Sequence, residues 1–187
     1  MAFICTGRTL SCIHPKLLEL PWAGIVCLAG GYVELDGRIV RNAAMSPGLL
    51  QRLAPYLEQS DEVIRFEGLD RVVRMSADAP DGDGYARTVG DAVTQLEHYN
   101  AYKILMSTPL ASRIAQDEEL GPLLCLNELE LEVTEISPRE CTKRAGISAV
   151  LDALGPDHGT VYGIGDASND IALMEAVDVG IAMGNAP

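Results

Sequence analysis

The chain has 187 residues, 48% of them hydrophobic, and its 27 acidic side chains against 14 basic ones give a formal net charge of −13. This length allows one good hydrophobic core, or a core domain with a smaller second module. We expect no nucleic-acid partner, because an acidic surface without a dense basic patch repels a phosphate backbone.

The cysteines and the apolar segments indicate a cytoplasmic protein without a membrane partner. Five cysteines, none in CxxC spacing, do not suggest a disulfide framework and favour a reducing compartment. Residues 1–5 lack the charged and apolar regions of a signal peptide. The longest apolar stretch, 17–28, is interrupted by Glu19 and Pro21, so it is too short to span a membrane.

The first segment of the chain alternates strands and helices. Residues 3–5 form the end of a buried strand, and Thr6-Gly7-Arg8 is the turn that follows it. A second apolar strand covers 23–28, and a hairpin covers 32–40 with its turn at Asp36-Gly37. Because both terminal strands, at 3–5 and 179–183, stand almost at the ends of the chain, we expect both ends to be truncated inside a domain.

The middle of the chain has a different pattern. Ser46-Pro47 is a helix start, with serine as N-cap and proline at the first helical position, and the helix extends to about residue 58. Further elements are predicted at 63–66 (strand), 71–74 (strand), 90–97 (helix), 103–106 (strand) and after Pro109 (helix). This order predicts an α+β module with an open antiparallel sheet.

The last segment returns to the α/β pattern. A strand is predicted at 129–136, a helix at 142–154 with one apolar face, and two buried strands at 161–164 and 179–183 around a helix at 169–176. The chain therefore predicts a parallel α/β core that an inserted module interrupts. In such sheets ligands bind at the carboxyl ends of the strands, so the turns there are the candidate site.

An acidic loop follows the strand at 161–164. Asp166 leaves the strand, and Asp170 lies on the first turn of the next helix, so two carboxylates bracket one turn. Mg²⁺ accepts one or two carboxylates together with waters and a substrate phosphate. Asn169 places an amide at the same helix N-terminus, where the helix dipole favours anions. A simple N-capped loop is the alternative, and the neighbouring turns argue against it.

Two further turns carry groups that suit a phosphate. The hydroxyl of Thr6 and the backbone at Gly7 are suited to holding phosphate oxygens, although a Thr-Gly turn alone is a weak signal. Lys143 lies at the start of the helix at 142–154, from where it neutralises phosphate charge. The helix dipole disfavours a cation in this turn, which favours a functional role over a solvated surface lysine.

Taken together, these turns resemble the motifs of the haloacid dehalogenase (HAD) superfamily of phosphohydrolases, in its Cof-type subfamily. Thr6-Gly7-Arg8 matches the second motif, and Lys143 matches the third. The fourth motif and its trailing strand match Gly165-Asp166-Ala167-Ser168-Asn169-Asp170-Ile171-Ala172-Leu173-Met174 and Ala182-Met183-Gly184-Asn185-Ala186.

The resemblance implies a Rossmann-like core with a parallel sheet at 1–43 and 133–187, and an inserted α+β cap domain at 44–132. It implies that Asp166 ligates Mg²⁺ and that Asp170 supports the ion directly or through water. The residues implied to hold or support the phosphoryl group are Thr6, Gly7, Lys143 and Asn169, with Arg8 and Asn185 beside them. The family's reaction is in-line attack by an aspartate, which forms an aspartyl-phosphate that water hydrolyses.

The chain departs from the family at the first motif. In the family an apolar strand ending in Asp-x-Asp-Gly, which provides the nucleophile and the acid/base, precedes the Thr-Gly-Arg turn by one strand–helix unit. Only residues 1–5 precede Thr6, so we expect both aspartates to be absent from this chain. Asp81-Gly82-Asp83-Gly84 has the same spelling, but it follows no buried strand and lies in the inserted module, so we interpret it as a solvated acidic loop.

Three functions fit these features. The first is a Mg²⁺-dependent phosphatase of small phosphorylated metabolites, either sugar phosphates or nucleotide-like phosphates, of which this chain is a fragment. The second is a non-catalytic protein of the same fold that binds phosphate or a partner. The third is a phosphomutase or phosphotransferase, because the cap decides the acceptor. The sequence alone determines neither the substrate nor the oligomeric state.

Overall fold

A computed structural model describes residues 1–186, which form two compact units. Unit 1 combines Met1–Arg8, Ile13–Asn42 and the chain from Cys141 onward, whereas unit 2 consists of Thr9–Cys12 and Ala43–Glu140. Unit 1 is thus assembled from both ends of the chain, with most of unit 2 inserted between them. The boundaries, at 42/43 and 140/141, differ from the 43/44 and 132/133 that the sequence suggests.

The first segment of unit 1 forms a four-stranded sheet. Its elements are β1 (Phe3–Cys5), α1 (Pro15–Leu18), β2 (Gly24–Cys27), β3 (Tyr32–Leu35) and β4 (Arg38–Asn42), and the strand order is β1-β2-β3-β4. The β1–β2 pair is parallel and the other pairs are antiparallel. The β3–β4 turn has left-handed backbone at Asp36 (φ 48°) and Gly37 (φ 73°), the geometry that a two-residue hairpin requires.

Unit 2 contains a six-stranded sheet with helices packed against it. Its elements are α2 (Pro47–Glu58), β5 (Ile64–Glu67), β6 (Val72–Met75), β7 (Tyr85–Ala86), α3 (Val89–Thr94), β8 (Lys103–Ser107), α4 (Thr108–Ala115), β9 (Leu124–Glu128) and β10 (Val133–Pro138), with strand order β7-β6-β5-β8-β10-β9. Leu53, Phe66, Ile104 and Ile114 are fully buried where the helices meet the sheet. The predicted α+β module with an antiparallel sheet is confirmed, although β6 and β7 are parallel.

The strand β10 does not lie where the sequence suggests. It pairs antiparallel with β8 and β9 in unit 2, so its assignment to the parallel core was wrong. The reason lies in contacts that are distant in sequence: Thr134 exchanges a hydrogen bond with Thr108 at 2.9 Å, and Ile136 is buried among the unit 2 helices. The alternation of apolar residues predicts a strand but not the sheet that it joins.

The last segment returns to unit 1 as α5 (Lys143–Leu154), β11 (Tyr162–Gly165), α6 (Ile171–Met174) and β12 (Val179–Ala182). Helix α5 packs on the first sheet, where Val26, Val33 and Val150 form a small core. The parallel pair β11–β12 forms its own two-stranded sheet.

The last two strands are more exposed than predicted. Tyr162 and Ile164 are 63% and 62% exposed, and every residue of β12 is exposed, so the prediction of two buried strands was wrong. Only one face of β11 is covered, with Gly163 and Gly165 buried on it. A parallel strand is buried on both faces only where other elements pack on both faces of its sheet. The hydrophobicity of the strand does not show which elements pack there. No helix within residues 1–186 is long and apolar enough to cross a membrane.

Candidate functional site around Lys143

Lys143 is the centre of the candidate site. Helix α5 begins at this residue because Thr142 caps it, its hydroxyl accepting from the amide of Ala145 at 3.1 Å. Lys143 is 6% exposed, and a buried ammonium is costly unless acceptors surround it. Its Nζ donates to Oδ1 of Asp170 in a short ion pair and to Oδ1 of Asn169 at 3.3 Å.

Asp170 holds Lys143 on one side and the acidic loop on the other. While Oδ1 accepts from Lys143, Oδ2 accepts from the backbone amides of Asp166 at 3.1 Å and Ala167 at 3.2 Å. Burial by itself raises the pKa of Asp170, but the hydrogen bond from Lys143 and those from the loop amides outweigh it, so the pKa is lowered. The Asp170 carboxylate is therefore ionised at neutral pH and ties the loop to the start of α5.

The acidic loop approaches Asp170 so closely that only glycine fits at its beginning. A Cβ added at Gly165 would lie 2.4 Å from the Cβ of Asp170, which no side chain tolerates. Asp166 follows Gly165 at the carboxyl end of β11 and is exposed, as is Asn169. Within residues 1–186 the Asp166 carboxylate has no hydrogen-bonded or ion-paired side-chain partner. Its oxygens are thus directed to solvent, whereas those of Asp170 are engaged.

The carboxyl end of β1 lies within electrostatic reach of the same ion pair. Burial raises the pKa of the Cys5 thiol to about 11, with Lys143 lowering it and Asp170 raising it by smaller amounts. Thr6 is the next residue, and its Oγ1 accepts the amide of Arg8 at 3.2 Å. A Cβ added at Gly7 would meet no atom within 4 Å, so the space beside this turn is open.

The structure thus assembles most of the predicted residues around Lys143. Asn169 and Asp170 contact it directly, and the amide of Asp166 donates to Asp170. The Thr6 turn follows Cys5, whose pKa is affected by the charges of both Lys143 and Asp170. The Arg8 and Asn185 side chains are exposed, and within residues 1–186 neither side chain forms a hydrogen bond or ion pair with these groups. Their supporting roles stay predictions.

The Asp-x-Asp-Gly segment at 81–84 lies elsewhere. It belongs to unit 2, where the Asp81 and Asp83 side chains are 91% and 80% exposed and pair with Arg87 and Arg71. This matches the solvated acidic loop that the sequence suggests.

Sequence reasoning missed that Asp170 is the ion-pair partner of Lys143. A signal for it existed, because a lysine in the first turn of a helix opposes the helix dipole and needs a nearby acid. The turn at 28–30 follows the strand predicted at 23–28, at a strand end where the sequence places candidate site turns. It lies between the Thr6 turn and α5 and has glycine only at its last position.

The donors around Asp166 fit a hard divalent cation in part. Mg²⁺ prefers oxygen ligands and commonly uses one or two carboxylates, with waters and substrate phosphate completing its octahedron. The exposed Asp166 carboxylate suits this use, whereas both oxygens of Asp170 already have partners, which favours a water-mediated role. Over residues 1–186 no group of three or more His, Cys, Asp or Glu side chains is arranged for a metal. The remaining ligands must therefore be waters, phosphate or groups from elsewhere.

Comparisons with known proteins identify the family to which this chain is similar. The family model for haloacid dehalogenase-like hydrolases matches residues 1–187. "Putative phosphatase YkrA" of Bacillus subtilis (strain 168) is 26% identical over 194 residues, which cover 98% of this chain and 73% of that protein.

Solved structures show the same fold. A haloacid dehalogenase-like hydrolase from Bacteroides thetaiotaomicron superposes with a TM-score of 0.78 at 20% identity, over 99% of this chain and 76% of the other. BT4131, described as a sugar phosphatase of HAD subclass IIB, superposes with a TM-score of 0.74 at 16% identity, over 99% and 74% of the two chains.

Proposed function

The chain belongs to the family of haloacid dehalogenase-like hydrolases, and from that membership we propose that its Lys143 site binds the phosphoryl group in a Mg²⁺-dependent phosphatase reaction. The family and the phosphatase named among its relatives identify the chain as a phosphohydrolase by family. The observation that carries the proposal is the buried Lys143–Asp170 pair at the carboxyl ends of two parallel strand pairs.

Each residue around Lys143 has a task in this proposal. The Lys143 ammonium, oriented by Asp170 and Asn169, neutralises one phosphoryl oxygen. The Thr6 hydroxyl and the backbone at Gly7 hold a second oxygen in the open space beside their turn. Such positioning and charge neutralisation make up most of phosphoryl-transfer catalysis.

Asp166 is the residue that we propose as the direct ligand of Mg²⁺. When bound, the ion polarises the phosphoryl group and offsets its negative charge. Asp170 keeps Asp166 in place through the 3.1 Å bond to its amide, and it holds Lys143 at the same time. Arg8 and Asn185 are proposed to support the phosphate from the two neighbouring turns.

The attacking carboxylate and the acid/base are proposed to come from outside these 187 residues. The aspartate pair at 81 and 83 is unsuited, because both side chains are exposed and paired with arginines. The reaction class that this leaves is in-line displacement with a carboxylate nucleophile and an aspartyl-phosphate intermediate.

Unit 2 is proposed to be the cap that selects the leaving group. Its inserted position and its six-stranded sheet correspond to the cap expected from the sequence. A small phosphorylated metabolite is the proposed substrate, and the sugar phosphatase activity named for BT4131 makes a sugar phosphate our first choice. A phosphotransferase on the same scaffold would share the Lys143 site and differ in the acceptor.

Binding of inorganic phosphate tests this proposal without requiring turnover. We expect calorimetric titration in the presence of Mg²⁺ to give a measurable Kd for the wild-type chain. Lys143→Met should raise this Kd about ten- to hundredfold, because a hydrogen bond to a charged group contributes about 1.5–3 kcal/mol. Lys16→Met is the matched control, since Lys16 is an exposed lysine of the same unit. Equal affinities of the two variants, or no phosphate binding by the wild type, would refute the proposal.

A further inference from the structure

The turn after β2 has an unusual backbone. Leu28 and Ala29 both have left-handed conformations (φ 53° and 55°), and Gly30 follows with φ 90°. Two successive non-glycine residues in this region are uncommon and persist only where the surroundings hold them. Leu28 is fully buried, so packing is one part of that hold.

On one side, hydrogen bonds attach this turn to the Thr6 turn. The amide of Leu28 donates to the carbonyl of Arg8 at 2.9 Å, and the amide of Ala29 donates to the carbonyl of Thr6 at 3.2 Å. The left-handed conformations direct both amides to the same neighbour. The place of the Thr6 hydroxyl therefore depends on the conformation at residues 28 and 29.

On the other side, the turn lies against the first turn of α5 without any gap. A Cβ added at Gly30 would lie 2.1 Å from the carbonyl oxygen of Thr142, and one added at Gly146 would lie 2.9 Å from the Cα of Gly30 and 2.6 Å from Cγ1 of Val26. The Thr142 carbonyl also accepts the amide of Gly146 at 3.0 Å. This backbone contact fixes the start of the helix from which Lys143 extends.

We propose that the turn at 28–30 and Gly146 are positioning residues that set the spacing between Thr6 and Lys143. The inference rests on the proposed function, because that spacing matters when one phosphoryl group bridges the two side chains. The turn contacts both halves of the site through backbone atoms, so its geometry is transmitted without flexible side chains. Arg41 supports it from outside, its Nε donating to the Gly30 carbonyl at 3.0 Å.

Gly146→Ala tests the proposal directly. The added methyl group moves the start of α5 away from the turn, so the Kd for inorganic phosphate with Mg²⁺ should rise at least tenfold. Gly48→Ala is the matched control, because a Cβ at that helical glycine of unit 2 meets nothing within 4 Å, and its Kd should equal that of the wild type. An unchanged Kd in Gly146→Ala would overturn the proposal.

A double-mutant cycle distinguishes positioning from general destabilisation. If Gly146 acts through Lys143, adding Gly146→Ala to Lys143→Met should change the phosphate Kd less than twofold. A full tenfold loss in that background would show that Gly146 acts by another route and would overturn the proposal.

A second cycle needs no phosphate and separates this proposal from the proposed function. The unfolding equilibrium constants of the wild type, Lys143→Met, Asp170→Asn and the double variant give the coupling between Lys143 and Asp170. In the wild-type background we expect this coupling to change the unfolding constant by a factor of at least ten. It should fall below threefold when Gly146→Ala is present, because the ammonium no longer meets the carboxylate. Unchanged coupling would overturn the positioning role even where the wild-type chain fails to bind phosphate.

Ala29→Gly provides a variant that folds in any case, because glycine adopts the left-handed conformation without strain. We expect its urea midpoint to equal or exceed that of the wild type, while its phosphate Kd rises severalfold because the turn holds Thr6 less firmly. A purely structural turn would leave that Kd unchanged, which would contradict the inference.

Discussion

Asp170→Asn removes the charge that compensates a buried lysine, and its cost follows from the contacts. The asparagine keeps one oxygen for Lys143, but its amide nitrogen replaces the oxygen that accepts from Asp166 and Ala167. Breaking a buried pair by removal of one partner costs about 3–5 kcal/mol. We therefore expect a loss of roughly 3–4 kcal/mol, a large part of the about 5–15 kcal/mol that stabilises a typical domain.

Urea unfolding followed by tryptophan fluorescence measures this loss in the relevant unit. Trp22 is the single tryptophan and belongs to unit 1, as does Asp170. Tryptophan fluorescence therefore reports on unit 1 even if the two units unfold separately. A difference below about 0.5 kcal/mol at pH 7, within the range typical of surface substitutions, would refute the reasoning.

The pH dependence provides a second check on the same variant. The pKa of Asp170 is lowered below its ordinary value of 3.8, so its stabilising effect is present above that value and is lost as the pH falls through the folded-state pKa. The gap between wild type and Asp170→Asn should thus be constant from pH 7 to about pH 5 and should narrow in stronger acid. A gap that widens on acidification would contradict the assigned pKa shift.

Two further predictions concern catalysis and unit 2. The chain alone should show no Mg²⁺-dependent hydrolysis of a generic aryl phosphate in a colorimetric assay, and robust turnover that Asp166→Ala abolishes would disprove the absence of the nucleophile. Lys103→Met should destabilise unit 2 by about 3–5 kcal/mol, because Lys103 is buried between Glu67 and Glu135 and its loss leaves two carboxylates facing each other. Circular dichroism in urea measures this effect, and a change under 1 kcal/mol would show that the cluster carries little energy.

Much of the local structure could be predicted because local rules govern it. The predicted cap at Ser46 marks the start of α2, and the helix predicted at 142–154 begins where Thr142 caps it. The turn at Asp36-Gly37 formed as its residue types require. The order of the motifs around Thr6, Lys143 and 165–170 also sufficed to indicate the family, which the match over the whole chain confirms.

By itself the sequence determined most of the elements, the motif residues and the family, because capping, periodicity and turn chemistry act between residues a few positions apart. Only the tertiary structure decided that β10 joins the sheet of unit 2, and that β11 and β12 keep an exposed face. It also decided that the carboxylate oxygens of Asp170 accept hydrogen bonds from Lys143 and from the loop amides. These outcomes depend on which surfaces meet across long stretches of chain, and neither hydrophobic pattern nor spacing contains that information.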